Sequence, residues 1–191
     1  MRGLYAITPE GPDLLDKVRA ALEGGIALLQ YRRKGGTRDE AQTIAGLTRK
    51  FAVPLIVNDD VDLALAVGAD GAHLGREDGD LPLARKKLKG KILGASCYDR
   101  LDLARAAVSA GADYVAFGSV FASPTKPNAV RAPLSLFNHD LGVPKCAIGG
   151  ITLANAPQTI AAGADLLAVI SDLFDSPDIT ARARAYGKLF K

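Results

Sequence analysis

The stretch QYRRK, residues 30 to 34, places two cations and an amide at alternate positions. On an extended backbone the side chains of Gln30, Arg32 and Lys34 project to one side, and those of Tyr31 and Arg33 project to the other. Arginine offers a planar fork of donors that suits phosphate oxygens, and lysine adds a compact charge. The stretch therefore indicates a site for a phosphorylated or diphosphorylated ligand, although similar runs also occur in solvated loops.

Acidic residues follow two apolar runs, and they need a cationic partner. Asp59 follows the run LIVN, and Asp78 lies in the acid-rich turn after the next run. Carboxylates would repel a nearby diphosphate unless a hard divalent cation lies between them, and Mg²⁺ is commonly held by one or two carboxylates together with phosphate oxygens. We therefore predict Asp59 and Asp78 as Mg²⁺ ligands, with Asn58 available to the organic part of the ligand. Asp60 and Asp62 are predicted to cap the following helix.

Two further segments are predicted to bind anions. The loop FASPTKP carries Lys126, which can neutralise a leaving diphosphate, and Ser123 and Thr125, which can bind a second anion. Gly149-Gly150 and Ile170-Ser171 offer backbone N–H groups at the ends of the last two apolar runs, where barrels often bind phosphate. Read alone, the loop is also typical of solvent-exposed segments, and the glycine pair is also typical of a tight turn.

Elements that could position these residues alternate along the chain. Eight apolar runs of strand length are separated by helical patterns, and runs that are apolar throughout indicate parallel strands buried on both faces. The runs are GLYAIT, IALLQYR, VPLIVN, DGAHLG, KILGAS, DYVAFGS, VPKCAIGG and DLLAVIS. The helical patterns are DLLDKVRAALEGG, TRDEAQTIAGLTRKF, DLALAVGA, DLARAAVSAGA, LANAPQTIAAGA and, after the last run, PDITARARAYGKLF. Three of them follow a Gly-Ala-Asp helix stop, at residues 68–70, 111–113 and 163–165.

This repetition predicts a compact α/β fold, a single (β/α)8 TIM-barrel domain over residues 1–191. The alternative is an open doubly wound sheet, which would carry a Gly-rich GxGxxG turn after its first strand. Thr8-Pro9-Glu10-Gly11-Pro12 stands there instead. In a barrel, the polar strand ends described above would meet at one mouth.

Composition limits the function classes. The chain has 191 residues and a formal net charge of +3, which is too small and too evenly spread for a nucleic-acid surface. The N-terminus resembles neither a signal peptide nor an anchor, and no run reaches the ~20 apolar residues of a membrane span. Cys97 and Cys146 lack metal or disulfide spacing, so we expect buried thiols and a cytoplasmic location. The oligomeric state stays open, and a homo-oligomer is compatible with the sequence.

Nearly the whole chain resembles the thiamine-phosphate synthase family, also called thiamine-phosphate pyrophosphorylase. The family's motifs stand in order as Gln30 to Lys34, Val57 to Ala66, Gly68 to Asp78, FASPTKP, Ala147 to Ile151 and Val169 to Ser171. The resemblance implies an Mg²⁺-dependent transferase. It would join 4-amino-5-hydroxymethyl-2-methylpyrimidine diphosphate to 4-methyl-5-(2-phosphoethyl)thiazole, giving thiamine phosphate and diphosphate by a dissociative mechanism.

The resemblance also implies roles for individual residues. Catalysis would fall to Arg32, Lys34 and Lys126. The pyrimidine-diphosphate contacts would be Gln30, Arg32, Lys34, Asn58, Ser96 and Lys126. The thiazole-phosphate contacts would be Ser123, Thr125, Gly150, Ile170 and Ser171, and the metal ligands would be Asp59 and Asp78.

Two other functions remain open. A thiazole tautomerase shares the barrel but is expected to lack the full metal and leaving-group set, so Asp59, Asp78 and Lys126 argue against it. A non-catalytic barrel that binds a phosphorylated ligand would need no metal carboxylates. His73 is expected to be packed or hydrogen-bonded inside the fourth strand, and His139 is expected at the surface.

Overall fold

Eight parallel strands close into a barrel in a computed structural model of the chain, which describes residues 1–122 and 130–191. Neighbouring strands follow chain order, and β8 pairs with β1 in parallel to close the ring. The strands are β1 Gly3–Ile7, β2 Leu28–Tyr31, β3 Leu55–Asn58, β4 Gly71–Leu74, β5 Ile92–Tyr98, β6 Tyr114–Gly118, β7 Lys145–Ile148 and β8 Leu166–Val169. The predicted (β/α)8 barrel is confirmed, and the open doubly wound sheet is excluded.

Short helices connect the strands on the outside of the barrel. They are α1 Leu14–Glu23, α2 Arg38–Lys50, α3 Val61–Ala66, α4 Leu81–Lys87, α5 Leu101–Ser109, α6 Ala156–Ala161, α7 Ser171–Phe174 and α8 Ile179–Lys188, with a 3₁₀ helix at Leu134–Asn138. None of these described helices combines the length and hydropathy that crossing a membrane requires. The predicted contacts Ser123, Thr125 and Lys126 lie outside the described residues.

All eight predicted strands are present, but the sequence patterns missed three helical segments. These are α4, the 3₁₀ helix and α7. The start of α4 could have been recognised in the sequence from Asp80 followed by Pro82. In the structure Asp80 caps this helix, since its carboxylate accepts a hydrogen bond from the Leu83 N–H at 2.8 Å, and Pro82 lies in the first turn. The four residues of α7 begin one residue after β8, at Ser171, where the predicted strand run DLLAVIS ends.

The two predicted helix caps have different outcomes. Asp60 caps α3, and its carboxylate accepts a hydrogen bond from the Leu63 N–H at 2.7 Å. The prediction for Asp62 is wrong, because this residue lies inside the first turn of α3 and its carboxylate pairs with Lys87 Nζ at 2.8 Å. Only the residue just before the first helical turn has its side chain positioned to reach the free N–H groups.

Alternate side chains separate the barrel interior from the layer between strands and helices. The odd-numbered residues of β1, Tyr5 and Ile7, pack inside with Leu28 of β2 and Ile56 of β3. The neighbouring residues Leu4 and Ala6 pack outward with the apolar faces of the helices. Cys97 and Cys146 are both buried and unpaired, as predicted. The barrel interior also contains polar side chains, which are hydrogen-bonded to one another near the mouth.

The repeated Gly-Ala-Asp segments have a structural role at the face opposite the mouth. Asp70, Asp113 and Asp165 each precede an even-numbered strand. Their carboxylates accept hydrogen bonds from the N–H groups of Leu55, Leu93 and Lys145, at 2.8, 2.7 and 2.9 Å. We call these contacts carboxylate ties. Each tie joins the start of an odd-numbered strand to the next strand in the ring.

Candidate active site

The carboxyl ends of the strands bring residues from distant parts of the chain to one mouth. Gln30 of β2 is buried and lies in register with Ile7 and Ile56, so its amide is inside the barrel. Asn58 ends β3, and Ser96 lies near the end of β5; both are half-buried. The three residues therefore lie at the same end of the barrel, although 66 positions separate the first from the last.

The basic stretch has the predicted alternation of directions. Tyr31 Oη donates a hydrogen bond to Glu40 Oε1 at 2.8 Å, and Arg33 pairs with Glu40 Oε2 at 3.4 Å, so both residues face α2 outside the barrel. Arg32 and Lys34 are exposed beyond the end of β2. The backbone N–H of Lys34 is held by the Glu10 carboxylate at 3.0 Å.

Thr8 fixes the backbone of Arg32. Its hydroxyl donates a hydrogen bond to the Arg32 carbonyl at 2.9 Å and accepts one from the Arg32 N–H at 2.8 Å. Thr8 is buried at the end of β1. The sequence patterns showed Thr8 as a strand end and assigned it no role. Its two bonds position the cationic side of the mouth.

Asp59 and Asp78 lie next to each other on the rim. The Asp59 N–H donates to the His73 carbonyl at 2.8 Å, and the Asp59 carboxylate accepts a hydrogen bond from the Asn58 amide. Asp78 Oδ2 accepts one from the Gly75 N–H at 2.7 Å. Partial loss of solvation and then the hydrogen bond and charge of the Asp78 carboxyl raise the pKa of Asp59 to about 6, and Arg32 opposes this increase. The Asp59 carboxyl is therefore influenced by both Asp78 and Arg32.

This pair of acids fits a hard divalent cation. Mg²⁺ needs only one or two protein carboxylates when phosphate oxygens and water complete its octahedron. Within residues 1–122 and 130–191, no group of three or more His, Cys, Asp and Glu side chains could enclose a metal alone. A cation between the two carboxylates would offset the charge of Asp78, which adds to the effect of lost solvation in raising the Asp59 pKa, so the donor set suits Mg²⁺ shared with a ligand.

A continuous row of hydrogen bonds crosses the barrel beneath the mouth, and we call it the polar chain. Gln30 Nε2 donates to Tyr5 Oη at 2.8 Å, and Tyr5 Oη lies 2.7 Å from Tyr114 Oη. Tyr114 Oη lies 2.9 Å from His73 Nδ1, and His73 Nε2 lies 2.8 Å from Ser96 Oγ. The polar chain thus joins two predicted ligand contacts, Gln30 and Ser96, through three buried side chains.

Gly94 leaves room for the polar chain, because it has no side chain. A Cβ at Gly94 would lie 2.2 Å from Cζ and 2.3 Å from Oη of Tyr114, so the absence of a side chain at position 94 admits that ring. The Tyr114 ring stacks on His73 and meets Tyr5 edge-on. Burial raises the pKa values of Tyr5 and Tyr114 and lowers the pKa of His73 to about 4, so all three groups are neutral near pH 7.

The ends of β7 and β8 form the other side of the mouth. Gly150 has φ +65°, and a Cβ there would lie 2.4 Å from the Ala122 carbonyl, so the turn requires glycine. Asn155 Nδ2 donates to the Gly150 carbonyl at 2.9 Å and holds that turn. Ile170 is half-buried after β8, and Ser171 is exposed at the start of α7. This side of the mouth therefore presents the backbone of Gly150 and Ile170 and the hydroxyl of Ser171 near the surface.

Tyr5 and Tyr114 were missed as site residues, because an inward-facing tyrosine in an apolar run resembles ordinary core. Their hydroxyls were the available signal, since a buried hydroxyl needs a partner. His73 is hydrogen-bonded inside β4, as predicted, and His139 is exposed. The new members of the site are therefore Thr8, Tyr5 and Tyr114.

Comparisons with known proteins agree with this geometry. A family model described as thiamine monophosphate synthase matches residues 4–173. The thiamine-phosphate synthase of Aromatoleum aromaticum is 59% identical, over 100% of this chain and 97% of its own. That of Thiobacillus denitrificans is 54% identical, over 98% and 94%.

Among solved structures, a thiamine phosphate pyrophosphorylase from Pyrococcus furiosus superimposes with a TM-score of 0.87 and 36% identity, over 98% of this chain and 94% of that one. The relatives bear the name of a transferase and match the chain from end to end, so the prediction of an enzyme of this class is confirmed. The barrel, its mouth and these relatives together show that the chain belongs to the thiamine monophosphate synthase family.

Proposed function

We propose that the chain joins 4-amino-5-hydroxymethyl-2-methylpyrimidine diphosphate to 4-methyl-5-(2-phosphoethyl)thiazole, with Mg²⁺ as cofactor. The products would be thiamine phosphate and diphosphate. The observation that carries this proposal is the pairing of Asp59 with Asp78 and Arg32 at the mouth, where the Asp59 N–H also bonds the His73 carbonyl and the His73 ring bonds Ser96. A binding barrel without turnover would not need a paired acid at a cationic rim.

The diphosphate is assigned to the side of the mouth formed by β2, β3 and β4. Arg32 and Lys34 supply positive charge there, and Lys126 is assigned to the same anion from its sequence motif. Asp59 and Asp78 would hold Mg²⁺, which when bound neutralises charge on the diphosphate oxygens. Thr8 supports this assignment, because it fixes the backbone from which the Arg32 side chain extends.

The two organic parts are assigned to different sides. Gln30, Asn58 and Ser96 would bind the pyrimidine, because they are the amide and hydroxyl groups nearest the diphosphate side. Gly150, Ile170 and Ser171 would bind the thiazole phosphate, together with Ser123 and Thr125 of the FASPTKP loop. Two anions are thereby kept apart, and only one lies beside the carboxylates.

The reaction needs positioning and charge stabilisation rather than a protein nucleophile. The bond between the pyrimidine methylene carbon and the diphosphate oxygen breaks, and its electron pair leaves with the diphosphate. The lone pair of the thiazole nitrogen then forms the new carbon–nitrogen bond. Arg32, Lys34 and Lys126 stabilise the departing charge, which in enzymes generally contributes several kcal/mol. The substrates are small phosphorylated molecules, and the proposed location is the cytoplasm.

The first test is formation of thiamine phosphate by purified protein from the two substrates, with Mg²⁺ and then with excess EDTA. We expect product with Mg²⁺ and none after chelation. A folded protein that forms no product with Mg²⁺ would overturn the proposed function. That result would favour the thiazole tautomerase or the non-catalytic binding barrel instead.

A matched pair of arginine variants tests the assignment of the basic stretch. Arg32→Ala should lower kcat/KM by about 10²- to 10³-fold, the range found when one group that stabilises transition-state charge is removed. Arg33→Ala removes the same charge from the neighbouring residue and should stay within about threefold of the unmodified enzyme, because the Arg33 side chain pairs with Glu40 outside the barrel rather than facing the mouth. Equal losses in both variants would refute the assignment of Arg32.

A further inference from the structure

The direction of the hydrogen bonds in the polar chain follows from counting its hydrogens. Gln30 Nε2 donates to Tyr5 Oη, so the Tyr5 hydrogen is available for Tyr114 Oη. The Tyr114 hydrogen is then available for His73 Nδ1, which must carry no hydrogen in order to accept it. A neutral imidazole carries its one hydrogen on the other nitrogen, Nε2, which donates to Ser96 Oγ. In this arrangement the hydroxyl hydrogens of Tyr5 and Tyr114 and the ring hydrogen of His73 are all paired.

The opposite tautomer leaves a hydrogen unpaired. If His73 Nδ1 carried the hydrogen, Tyr114 would donate to Tyr5, whose oxygen already accepts from Gln30. The Tyr5 hydrogen would then have no partner among these groups, in a fully buried position. An unpaired buried donor is costly, and the structure contains no buried polar side-chain atom of this kind in its described part.

We propose that His73 is a positioning residue, held in its Nε2–H form by Tyr5 and Tyr114, and that it turns the Ser96 hydroxyl hydrogen toward the mouth. The Ser96 oxygen accepts from His73, so the hydrogen of this hydroxyl is free to be donated to a ligand. Ser96 therefore binds an acceptor atom. His73 touches no ligand in this arrangement and acts through Ser96.

The consequence for catalysis rests on the proposed function, because it concerns the ligand that meets Ser96. An unprotonated ring nitrogen, such as those of an aminopyrimidine, is an acceptor of the required kind. A ring N–H at the same point would face the Ser96 hydrogen and bind more weakly. The polar chain thus selects the hydrogen-bonding pattern of the heterocycle as well as its position.

The tautomer can be measured without any substrate. The chain contains two histidines, so protein labelled with ¹⁵N-histidine gives two imidazole patterns, and the exposed His139 is assigned from the His139→Gln variant. Long-range ¹H–¹⁵N correlation spectra distinguish a protonated ring nitrogen from a bare one. We expect His73 with Nε2 protonated and Nδ1 bare. Protonation at Nδ1, or at both nitrogens, would overturn the proposal, whatever the protein's activity.

Variants connect the tautomer to Ser96. In His73→Gln the side-chain amide can reach the position of Nε2 and still donate to Ser96, whereas in His73→Asn it reaches only the position of Nδ1. We expect kcat/KM with the pyrimidine diphosphate to fall about tenfold in His73→Asn and by less than about threefold in His73→Gln, the loss that one hydrogen bond produces. Equal activities in two variants with matching urea unfolding midpoints would overturn the link to Ser96.

Tyr114→Phe tests the link from the tyrosines to His73. The ring keeps its place beside Gly94, but His73 Nδ1 loses its donor, so we expect a new population protonated at Nδ1 and a similar tenfold loss. Tyr31→Phe is the matched control, because its hydroxyl bonds Glu40 outside the barrel, and it should leave both readouts unchanged. An unchanged His73 spectrum in Tyr114→Phe would overturn the role of Tyr114.

Discussion

Replacing Gly94 with alanine should destabilise the barrel, because the new methyl group has no space. Its carbon would lie 2.2, 2.3 and 2.5 Å from Cζ, Oη and Cε1 of Tyr114. The Tyr114 ring is fully buried between Tyr5 and His73, and its hydroxyl is hydrogen-bonded to both. The ring can move away only if it breaks one or both of these bonds.

The size of the effect follows from these contacts. Overpacking a core typically costs about 1–3 kcal/mol, and each hydrogen bond lost adds about 1 kcal/mol, so the loss of one or both bonds gives a total of about 2–5 kcal/mol. For a chain of this length, 1 kcal/mol shifts the Tm by roughly 2–4 °C, so we expect a decrease of about 4–20 °C. Calorimetry and urea unfolding measure the two quantities independently.

Gly46→Ala is the control, because it makes the same chemical change where the space is open. Gly46 lies within α2, and a Cβ there would meet no atom within 4 Å. Alanine favours a helix interior over glycine by about 0.8–1.0 kcal/mol, so this variant should be more stable than the unmodified protein. A Gly94→Ala variant as stable as the unmodified chain would refute the steric argument.

Three further predictions concern the rim and the base of the barrel. Thr8→Val removes both bonds to the Arg32 backbone and should cost about 1–2 kcal/mol of stability and lower kcat/KM, as urea unfolding and initial rates would measure. In metal-free protein, Asp78→Asn should lower the pKa of Asp59 from about 6 toward its ordinary 3.8, because the second acid is gone; a ¹³C NMR titration that still gives about 6 would contradict this. Asp165→Ala should cost about 1–3 kcal/mol by leaving the Lys145 N–H without its carboxylate, and Asp165→Asn less, as urea midpoints would measure.

Much of the fold could be predicted from the sequence, because its signals are local. Each strand is a short apolar run, and each Gly-Ala-Asp stop lies directly before a strand, so strand number and order followed from neighbouring residues. Of the segments that were missed, α7 has four residues, which is too few to show a helical period, whereas α4 has a local start signal in Asp80 and Pro82 that was not used. Asp62 was misread because two acids near a helix start look alike in a sequence, although only Asp60 caps it.

The site was predictable only in part. Ligands of such barrels bind at the carboxyl ends of the strands, and four of the predicted site residues stand at or just after a predicted strand end. Their place along the chain therefore predicted that they lie at the mouth; they are Gln30, Asn58, Asp59 and Asp78. The polar chain had no such signal. Tyr5 and Tyr114 are separated by 109 positions, and their contact depends on the closure of the ring and on the space left by Gly94.

The carboxylate ties lie at the opposite end of the barrel from the residues that are assigned to ligands within the described part of the chain. Asp70, Asp113 and Asp165 join neighbouring strands at the face opposite the mouth, whereas the residues assigned to ligands lie at the carboxyl ends of the strands. Mutations in the loops at the mouth therefore replace none of the residues that form the carboxylate ties. In such a barrel, specificity can change at one face while selection for stability acts on the other.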